Sequence, residues 1–253
     1  MTDRLTVSHI SRRFGGLVVS DDVTISLPAG ARTALIGPNG AGKTTLINII
    51  SGALTPDTGS ISVDGKDVTG FSQPERVEAG IARTFQINRL FKDLTAADNV
   101  RVAVIQQQHK AFQLWQRRAV EDELDRRVHD VMSKLRLTHR ADTVVSKLAY
   151  GEQRLLEIAM ALALEPRVLL LDEPAAGVPK GESNVIIEVV QGLPKDLAVL
   201  LIDHDMDLVF RFASYIYVLA SGAVVTGGTP AEIAADEKVK EIYFGRESHD
   251  LTA

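Results

Sequence analysis

Short apolar runs and segments of helical periodicity alternate along this chain, most clearly in its C-terminal third. Residues 168–171 and 198–202 are continuous apolar runs, as expected of central parallel strands that are buried on both faces. Helical segments accompany these runs, among them residues 151–164, 185–190 and 206–212. Alternating strands and helices of these lengths predict a largely parallel, doubly wound α/β sheet.

The N-terminal region has a different pattern, in which short strands are joined by tight turns. Residues 5–7 are expected to be a short strand, residues 23–27 alternate between apolar and polar types, and residues 56–59 are expected to be a turn. Asp64-Gly65 lies between two short β-type segments, which is a strong hairpin signal. We therefore expect an antiparallel β lobe beside the parallel core.

The C-terminal end adds one more strand and then helix. Residues 215–219 are predicted to be a strand, and Ser221-Gly222 a turn that follows it. Pro230 is expected to open the last helical stretch, because proline is favoured in the first turn of a helix.

The middle of the chain is predicted to be helical. Residues 106–137 are highly charged and rich in glutamine, with almost no glycine or proline. An apolar stripe at helical spacing runs along this segment at Val120, Leu124, Val128, Val131 and Leu135. We expect residues 87–160 to be a helical subdomain inserted into a single domain. The α/β core and β lobe of that domain comprise residues 1–86 and 161–253.

Composition narrows the possible functions. The chain has 253 residues, of which 45% are apolar and 24% charged, and this is ordinary for a soluble globular protein. Its net charge of −5 and pI near 5.7 argue against nucleic acid as a partner, which would need a basic surface. The absence of cysteine excludes disulfides and thiolate metal sites and suits a cytosolic protein. No signal peptide or membrane-spanning run is expected, so any association with a membrane would occur through a partner.

The strongest chemical signature lies between a short apolar run and a helical segment near residue 40. Gly37, Gly42, Lys43 and Thr44 fit the phosphate-loop pattern G-x-x-x-x-G-K-[ST]. Backbone N–H groups of such a loop bind phosphate oxygens, the lysine contacts the β- and γ-phosphates, and the Thr44 hydroxyl is placed to bind Mg²⁺. The alternative, a glycine-rich turn before a helix, is disfavoured by the strand–loop–helix context. The candidate binding residues are Gly37, Pro38, Asn39, Gly40, Ala41, Gly42, Lys43, Thr44 and Thr45.

A second signature follows the apolar run at residues 168–171. Asp172 ends this run in the Walker-B arrangement, where an acid supports Mg²⁺. Glu173, one residue further on, is placed to polarise a water for in-line attack on a γ-phosphate. Without the phosphate loop, two solvated acids after a strand would be an equally good interpretation.

Three further residues are weak candidates individually. Gln86 at a strand end could contact Mg²⁺ or the attacking water, and Phe14 could stack on adenine. His204 follows a buried strand, where doubly wound folds place side chains that contact ligands. Their ordinary interpretations are a polar loop residue, a packed aromatic residue and a histidine that satisfies local hydrogen bonds.

Together, the order and spacing of these pieces resemble the nucleotide-binding subunits of ABC transporters over nearly the whole chain. The resemblance implies that ATP is bound with Mg²⁺ and that Thr44, Asp172 and Gln86 are the metal-binding residues. It further implies that Phe14 contacts adenine, while Glu173 and His204, with Gln86, serve catalysis. In this family two subunits enclose two ATP molecules, and each phosphate loop faces the other subunit's signature. The signature residues assigned to nucleotide binding are Ala149, Tyr150, Gly151, Glu152 and Gln153.

Within that family, several short segments are most similar to the ATP-binding subunit of branched-chain amino acid importers. They are residues 13–17, 80–86, 90–91, 172–177, 204–208 and 243–245. The resemblance implies an ATPase that energises import of these amino acids or similar small organic solutes at the cytoplasmic face of the inner membrane. Its implied partners are permease subunits, a second ATP-binding subunit and, indirectly, a solute-binding protein. A soluble ABC-type or other phosphate-loop ATPase without a transport role is the alternative.

Three residues depart from the usual pattern of this group. Ala149 replaces the signature serine, Pro179 replaces a polar residue after Gly177, and Met160 stands where arginine is common. Because Ala149 lacks a hydroxyl that would otherwise face phosphate, we expect the two ATP sites of a dimer to be unequal.

Overall fold

The computed structural model of the chain describes residues 3–84, 90–107 and 117–244, without the side chains of residues 117–120 and 244. Its strands are β1 Asp3–Phe14, β2 Leu17–Pro28, β3 Arg32–Ile36, β4 Thr58–Val63, β5 Lys66–Asp67, β6 Ile81–Arg83, β7 Val168–Asp172, β8 Ala198–Ile202, β9 Tyr215–Ala220 and β10 Ala223–Gly228. Its α-helices are α1 Lys43–Ile50, α2 Gln73–Glu78, α3 Ala96–Gln107, α4 Arg117–Lys134, α5 Tyr150–Ala163, α6 Lys180–Gln191, α7 Met206–Phe212, α8 Pro230–Ala235 and α9 Glu237–Phe244.

The chain divides into two compact units. The described residues up to Ala79 and from Lys195 onward form the unit that we call the phosphate-loop unit. The described residues from Gly80 to Pro194 form the second, which we call the signature unit.

An antiparallel sheet of order β2-β1-β4-β5 forms the β lobe of the phosphate-loop unit. Leu5, in β1, pairs with Leu27 on one side and Val63 on the other, and all three side chains are buried. The predicted strand at residues 5–7 is too short, because β1 continues to Phe14 through several register shifts that break the apolar alternation. Thr58 and Gly59 were predicted as part of a turn but belong to β4.

A second sheet of the same unit contains strands in the order β10-β9-β3-β8. The central strand β3 runs parallel to both β8 and β9, as the apolar runs predicted. β10, which pairs antiparallel with β9, was missed by the sequence analysis. Its two terminal glycines and lack of clear alternation conceal an edge strand.

The signature unit combines a parallel pair of strands with packed helices. β6 runs parallel to β7, and α3, α4 and α5 pack against one another. The predicted apolar stripe on α4 is buried at Leu124, Val128 and Val131, while the side chain of Val120 lies outside the described residues. Leu135, just after α4, is fully buried as well.

No helix in the described part of the chain is both long and apolar enough to cross a bilayer.

Candidate functional site

The phosphate loop follows β3 directly and ends at the first residue of α1. Glycine is required at two positions of the loop, because the backbone of another segment approaches closely at each. A Cβ atom at Gly37 would lie 2.1 Å from the Leu219 carbonyl oxygen, and one at Gly42 would lie 2.4 Å from the Val19 carbonyl oxygen. Gly42 also adopts a φ of 103°, a left-handed conformation that other residues rarely adopt. The loop glycines therefore fix a tight path of the backbone, as the motif predicts.

Lys43 and the N-terminus of α1 supply the positive charge of this loop. The Lys43 ammonium group donates to the carbonyl oxygens of Gly37 at 2.6 Å and Pro38 at 3.0 Å, so it lies over the loop itself. No side chain caps the N-terminus of α1, and its first turn contains no acidic residue. The first-turn amides, which no side chain caps, and Lys43 together form a site suited to phosphate oxygens.

The opposite end of α1 is stabilised by an arginine that the sequence analysis did not single out. Arg76, in α2, is 1% exposed and donates to the carbonyl oxygens of Ile50 at 2.8 Å and Thr69 at 2.8 Å. It also contacts the Ile49 carbonyl oxygen at 3.4 Å. A guanidinium group at a helix C-terminus satisfies orphan carbonyls and complements the helix dipole. Arg76 therefore anchors the helix that presents the phosphate loop.

The hairpin of β9 and β10, together with α9, packs beside the loop. Gly222 donates a backbone hydrogen bond to the Ala41 carbonyl oxygen at 3.0 Å. The Tyr243 hydroxyl is buried beside the Gly37 backbone amide, and burial raises the pKa of Tyr243 to about 12. An open cleft of about 310 Å³ lies between residues 38–41 of the loop and residues 241–242 of α9.

Phe14 and His204 belong to the same unit as the phosphate loop. Phe14 ends β1, is 49% exposed, and lies under the Arg12 guanidinium group at 5.2 Å. The exposed ring is available for stacking. His204 follows β8, the parallel neighbour of β3, so it lies at the same edge of the sheet as the loop. Its backbone N–H donates to Asp203 at 2.8 Å, and its side chain is mostly exposed.

The two acids of the second signature lie in the signature unit. Asp172 ends β7 and its side chain is only 3% exposed. Its Oδ2 accepts a hydrogen bond from Arg83 at 2.9 Å, a partner that the sequence analysis missed. Glu173 follows with a φ of 48°. A left-handed glutamate is uncommon, and strain of this kind is frequently found at functional positions.

The signature residues form the start of α5. Ala149 is the N-cap residue, and it has no side-chain hydroxyl with which to bind an N–H group. Glu152 compensates in part, because its Oε2 accepts from the Ala149 backbone N–H at 2.9 Å and its Oε1 accepts from Arg140 at 2.7 Å. Burial favours the neutral form, but these bonds outweigh it and lower the pKa of Glu152. Gln153 donates to the Leu148 carbonyl oxygen at 3.0 Å.

Tyr150 and Gly151 connect this helix start to the segment that follows Glu173. The Tyr150 hydroxyl accepts a hydrogen bond from Arg154 at 2.6 Å, and its ring lies near Gly177. A Cβ atom at Gly151 would lie 2.5 Å from a carboxylate oxygen of Glu182, in α6. The signature and the segment after the second acid are therefore packed together within one unit.

The predicted site residues thus fall into two groups. The phosphate loop, Phe14 and His204 lie in the phosphate-loop unit, and Asp172, Glu173 and residues 149–153 lie in the signature unit. Gln86 lies outside the described residues. No cluster of three or more histidine, aspartate or glutamate side chains suited to a metal ion occurs among the described residues.

Comparisons with known proteins agree on one family. Residues 20–176 match the ABC transporter family. The chain is 36% identical to the high-affinity branched-chain amino acid transport ATP-binding protein BraF of Pseudomonas aeruginosa, with 95% of this chain and 97% of BraF covered. It is 37% identical to the corresponding protein LivG of Salmonella typhimurium, with the same two coverages.

Solved structures agree with this assignment. The crystal structure of the ADP conformation of an ATP-binding cassette of an ABC transporter has a TM-score of 0.84 and 30% identity to this chain. That match covers 97% of this chain and all of the other. The predicted fold class is confirmed: this is the phosphate-loop NTPase fold with mixed α/β sheets and helices. The chain belongs to the ABC transporter family, as an ATP-hydrolysing, ATP-binding cassette.

Proposed function

We propose that this cassette energises an importer of branched-chain amino acids or similar small organic solutes. The observation that supports this substrate class is the similarity to BraF and LivG over 95% of the chain. Both are named high-affinity branched-chain amino acid transport ATP-binding proteins. Similarity that includes nearly the full length of both proteins supports a shared role better than a shared motif would.

Nucleotide binding is assigned to the phosphate-loop unit. Lys43 and the first-turn amides of α1 bind the β- and γ-phosphates, because the Lys43 ammonium group lies over the loop and no side chain caps the start of α1. Phe14 stacks on the adenine ring, and the guanidinium group of Arg12 steadies it from one face. His204, at the same sheet edge as the loop, contacts the γ-phosphate.

The residues that would bind Mg²⁺ fit that ion by their chemistry. Thr44 offers a hydroxyl in the first turn of α1, Asp172 a carboxylate at the end of β7, and Gln86 an amide oxygen. Oxygen ligands of this kind are the ones that Mg²⁺ prefers, usually with only one or two carboxylates. The bound ion supplies positive charge that neutralises charge on the transferred phosphoryl group.

Glu173 is assigned the role of general base for the attacking water. Glu173 follows the strand end with a φ of 48°, and successive residues of a strand direct their side chains to opposite faces. The two adjacent acids can therefore serve different tasks, one toward the metal and one toward water. A positioned base of this kind contributes about 10²- to 10⁴-fold to a rate.

The assembly proposed is a dimer with a second ATP-binding subunit on the cytoplasmic side of permease subunits. A solute-binding protein would deliver the solute to the permease. The signature residues 149–153 would face the ATP held by the partner's phosphate loop, which accounts for their position at the start of α5.

Solute uptake in cells that lack this chain tests the proposal. Uptake of radiolabelled leucine, isoleucine and valine should fall in the deletion strain and return with the wild-type chain. The Glu173→Gln variant should not restore it. Glu188→Gln is the matched control, because Glu188 is an exposed glutamate on α6 that pairs with Arg136. Unchanged uptake of these and other small organic solutes in the deletion strain would contradict the proposal.

A further inference from the structure

A buried ion pair joins Arg83 and Asp172 at the ends of two neighbouring strands. Arg83 is the last residue of β6, and Asp172 ends the parallel neighbour β7. The distance from Arg83 Nη2 to Asp172 Oδ2 is 2.9 Å, and the two side chains are 11% and 3% exposed. The Arg83 guanidinium group is therefore hydrogen-bonded to the Asp172 carboxylate, which we assign to the metal.

Because both side chains are buried, each depends on the other to compensate its charge. A buried carboxylate is costly unless a cation compensates for its lost hydration, and removing either partner leaves the other uncompensated. The planar guanidinium also restricts the rotamer of its partner more than an ammonium group would. Arg83 therefore fixes the direction of the Asp172 carboxylate as well as its charge balance.

Acidic and histidine side chains among the described residues are too few to hold a divalent cation by themselves. No group of three or more potential acidic or histidine ligands occurs in residues 3–84, 90–107 and 117–244. With Arg83 balancing Asp172, most of the negative charge needed to hold a divalent cation must come from another molecule. The phosphates of a nucleotide supply that charge.

We propose that Arg83 is a positioning residue and counter-ion for Asp172, which prevents this carboxylate from binding a divalent cation until nucleotide is present. The proposal rests on the proposed assignment of Asp172 to the metal. A purely structural role, in which the pair only joins β6 to β7, leads to a different expectation. Loss of a structural tie would weaken metal binding or leave it unchanged, whereas loss of a counter-ion would strengthen it.

The test measures Mn²⁺ binding to the purified full chain without nucleotide, by electron paramagnetic resonance of free Mn²⁺. The wild-type chain should bind Mn²⁺ as weakly as Asp172→Asn. Arg83→Gln, which retains a donor for Oδ2 but removes the charge, should bind Mn²⁺ at least about tenfold more tightly. Arg83→Lys retains the charge and should remain close to wild type. Arg136→Gln is the matched control, because Arg136 pairs with Glu188 on the surface.

The double variant Arg83→Gln/Asp172→Asn should lose the added affinity, which would locate the metal at Asp172. If folded Arg83→Gln, verified by circular dichroism, binds Mn²⁺ no more tightly than wild type, the proposal is wrong. Should that variant not fold, the wild-type chain still decides: Mn²⁺ binding that is clearly tighter than in Asp172→Asn, without nucleotide, would overturn the proposal.

A different measurement shows whether the assignment of Asp172 to the metal is itself wrong. With ADP present, Asp172→Asn should weaken Mn²⁺ binding if Asp172 serves the metal. No weakening would contradict that assignment. Weakening by Asp172→Asn combined with no effect of Arg83→Gln would contradict only the role of Arg83.

Discussion

The N-termini of α1 and α5 are both candidate anion sites, but they are built differently. At α1 the cap is a left-handed glycine, no acidic residue occupies the first turn, and Lys43 lies beside the loop carbonyls. At α5 the cap is Ala149, and the first turn contains the carboxylate of Glu152. That carboxylate accepts hydrogen bonds from the Ala149 backbone N–H and from Arg140.

Because of this difference, we expect the two units to have different tasks. A helix start that has a lysine and no side-chain cap attracts phosphate by itself. A helix start that already contains a bound carboxylate is a weaker anion site, and it becomes useful only when another group positions the phosphate. We therefore expect nucleotide affinity to reside in the phosphate-loop unit and turnover to depend on the signature unit. The following predictions test this division.

Replacement of the proposed base should have the largest effect. Glu173→Gln is expected to reduce ATP hydrolysis at least about a hundredfold, since a general base contributes roughly 10²- to 10⁴-fold. ATP affinity should remain nearly unchanged, because this side chain serves the water and not the nucleotide. Hydrolysis by the assembled transporter and equilibrium binding of a fluorescent ATP analogue measure the two quantities. Glu188→Gln should change neither, and a large loss of binding in Glu173→Gln would remove the division of tasks.

Replacement of the loop lysine should act on binding itself. Lys43→Ala is expected to weaken ATP binding by about 10- to 100-fold, because a hydrogen bond to a charged group is worth about 1.5–3 kcal/mol. Isothermal titration calorimetry with the purified chain measures this. Lys238→Ala, at an exposed position of α9, is the control. Wild-type affinity in Lys43→Ala would show that the charge at α1 is not what distinguishes the two helix starts.

Replacement of Arg76 should show how far the phosphate-loop helix depends on its other end. Arg76→Met leaves the carbonyl groups of Ile50 and Thr69 without this donor. We expect the free energy of unfolding to fall by about 2 kcal/mol or more, measured in urea. Arg126→Met is the control, because the Arg126 side chain is 72% exposed and contacts Glu123 and the Asp122 carbonyl oxygen on its own helix. Equal stability of the two variants would contradict the anchoring role.

Restoring a hydroxyl to the signature should have the smallest effect. Ala149→Ser adds a hydroxyl at the N-cap of α5, and we expect ATP hydrolysis by the assembled transporter to rise by less than about fivefold, since backbone amides already supply part of the binding. ATP affinity of the isolated chain should not change. Ala235→Ser, in α8, controls for an added hydroxyl elsewhere. Tighter ATP binding by isolated Ala149→Ser would show that this helix start binds nucleotide without a partner.

Several elements were visible in the sequence because local interactions define them. The phosphate loop, the hairpin at Asp64 and Gly65, and the buried strands β7 and β8 were each predicted at nearly their observed positions. Glycine in left-handed turns and continuous apolar runs are signals that need no knowledge of distant residues. The edge strand β10 had no such signal, because it ends in two glycines and lacks clear alternation. Only its pairing with β9 shows that it is a strand.

The sequence by itself determined the fold class, the phosphate loop and the order of the motifs. It could not show that Arg76 donates to the Ile50 carbonyl oxygen at the C-terminal end of α1, 26 residues away. Nor could it show that Arg83, 89 residues from Asp172, balances that carboxylate. Only the tertiary structure decided these contacts, because isolated arginines in a charged sequence look alike until folding places each beside its partners. Burial makes an unpaired charge costly, and that cost is a property of the folded surroundings and not of the local sequence.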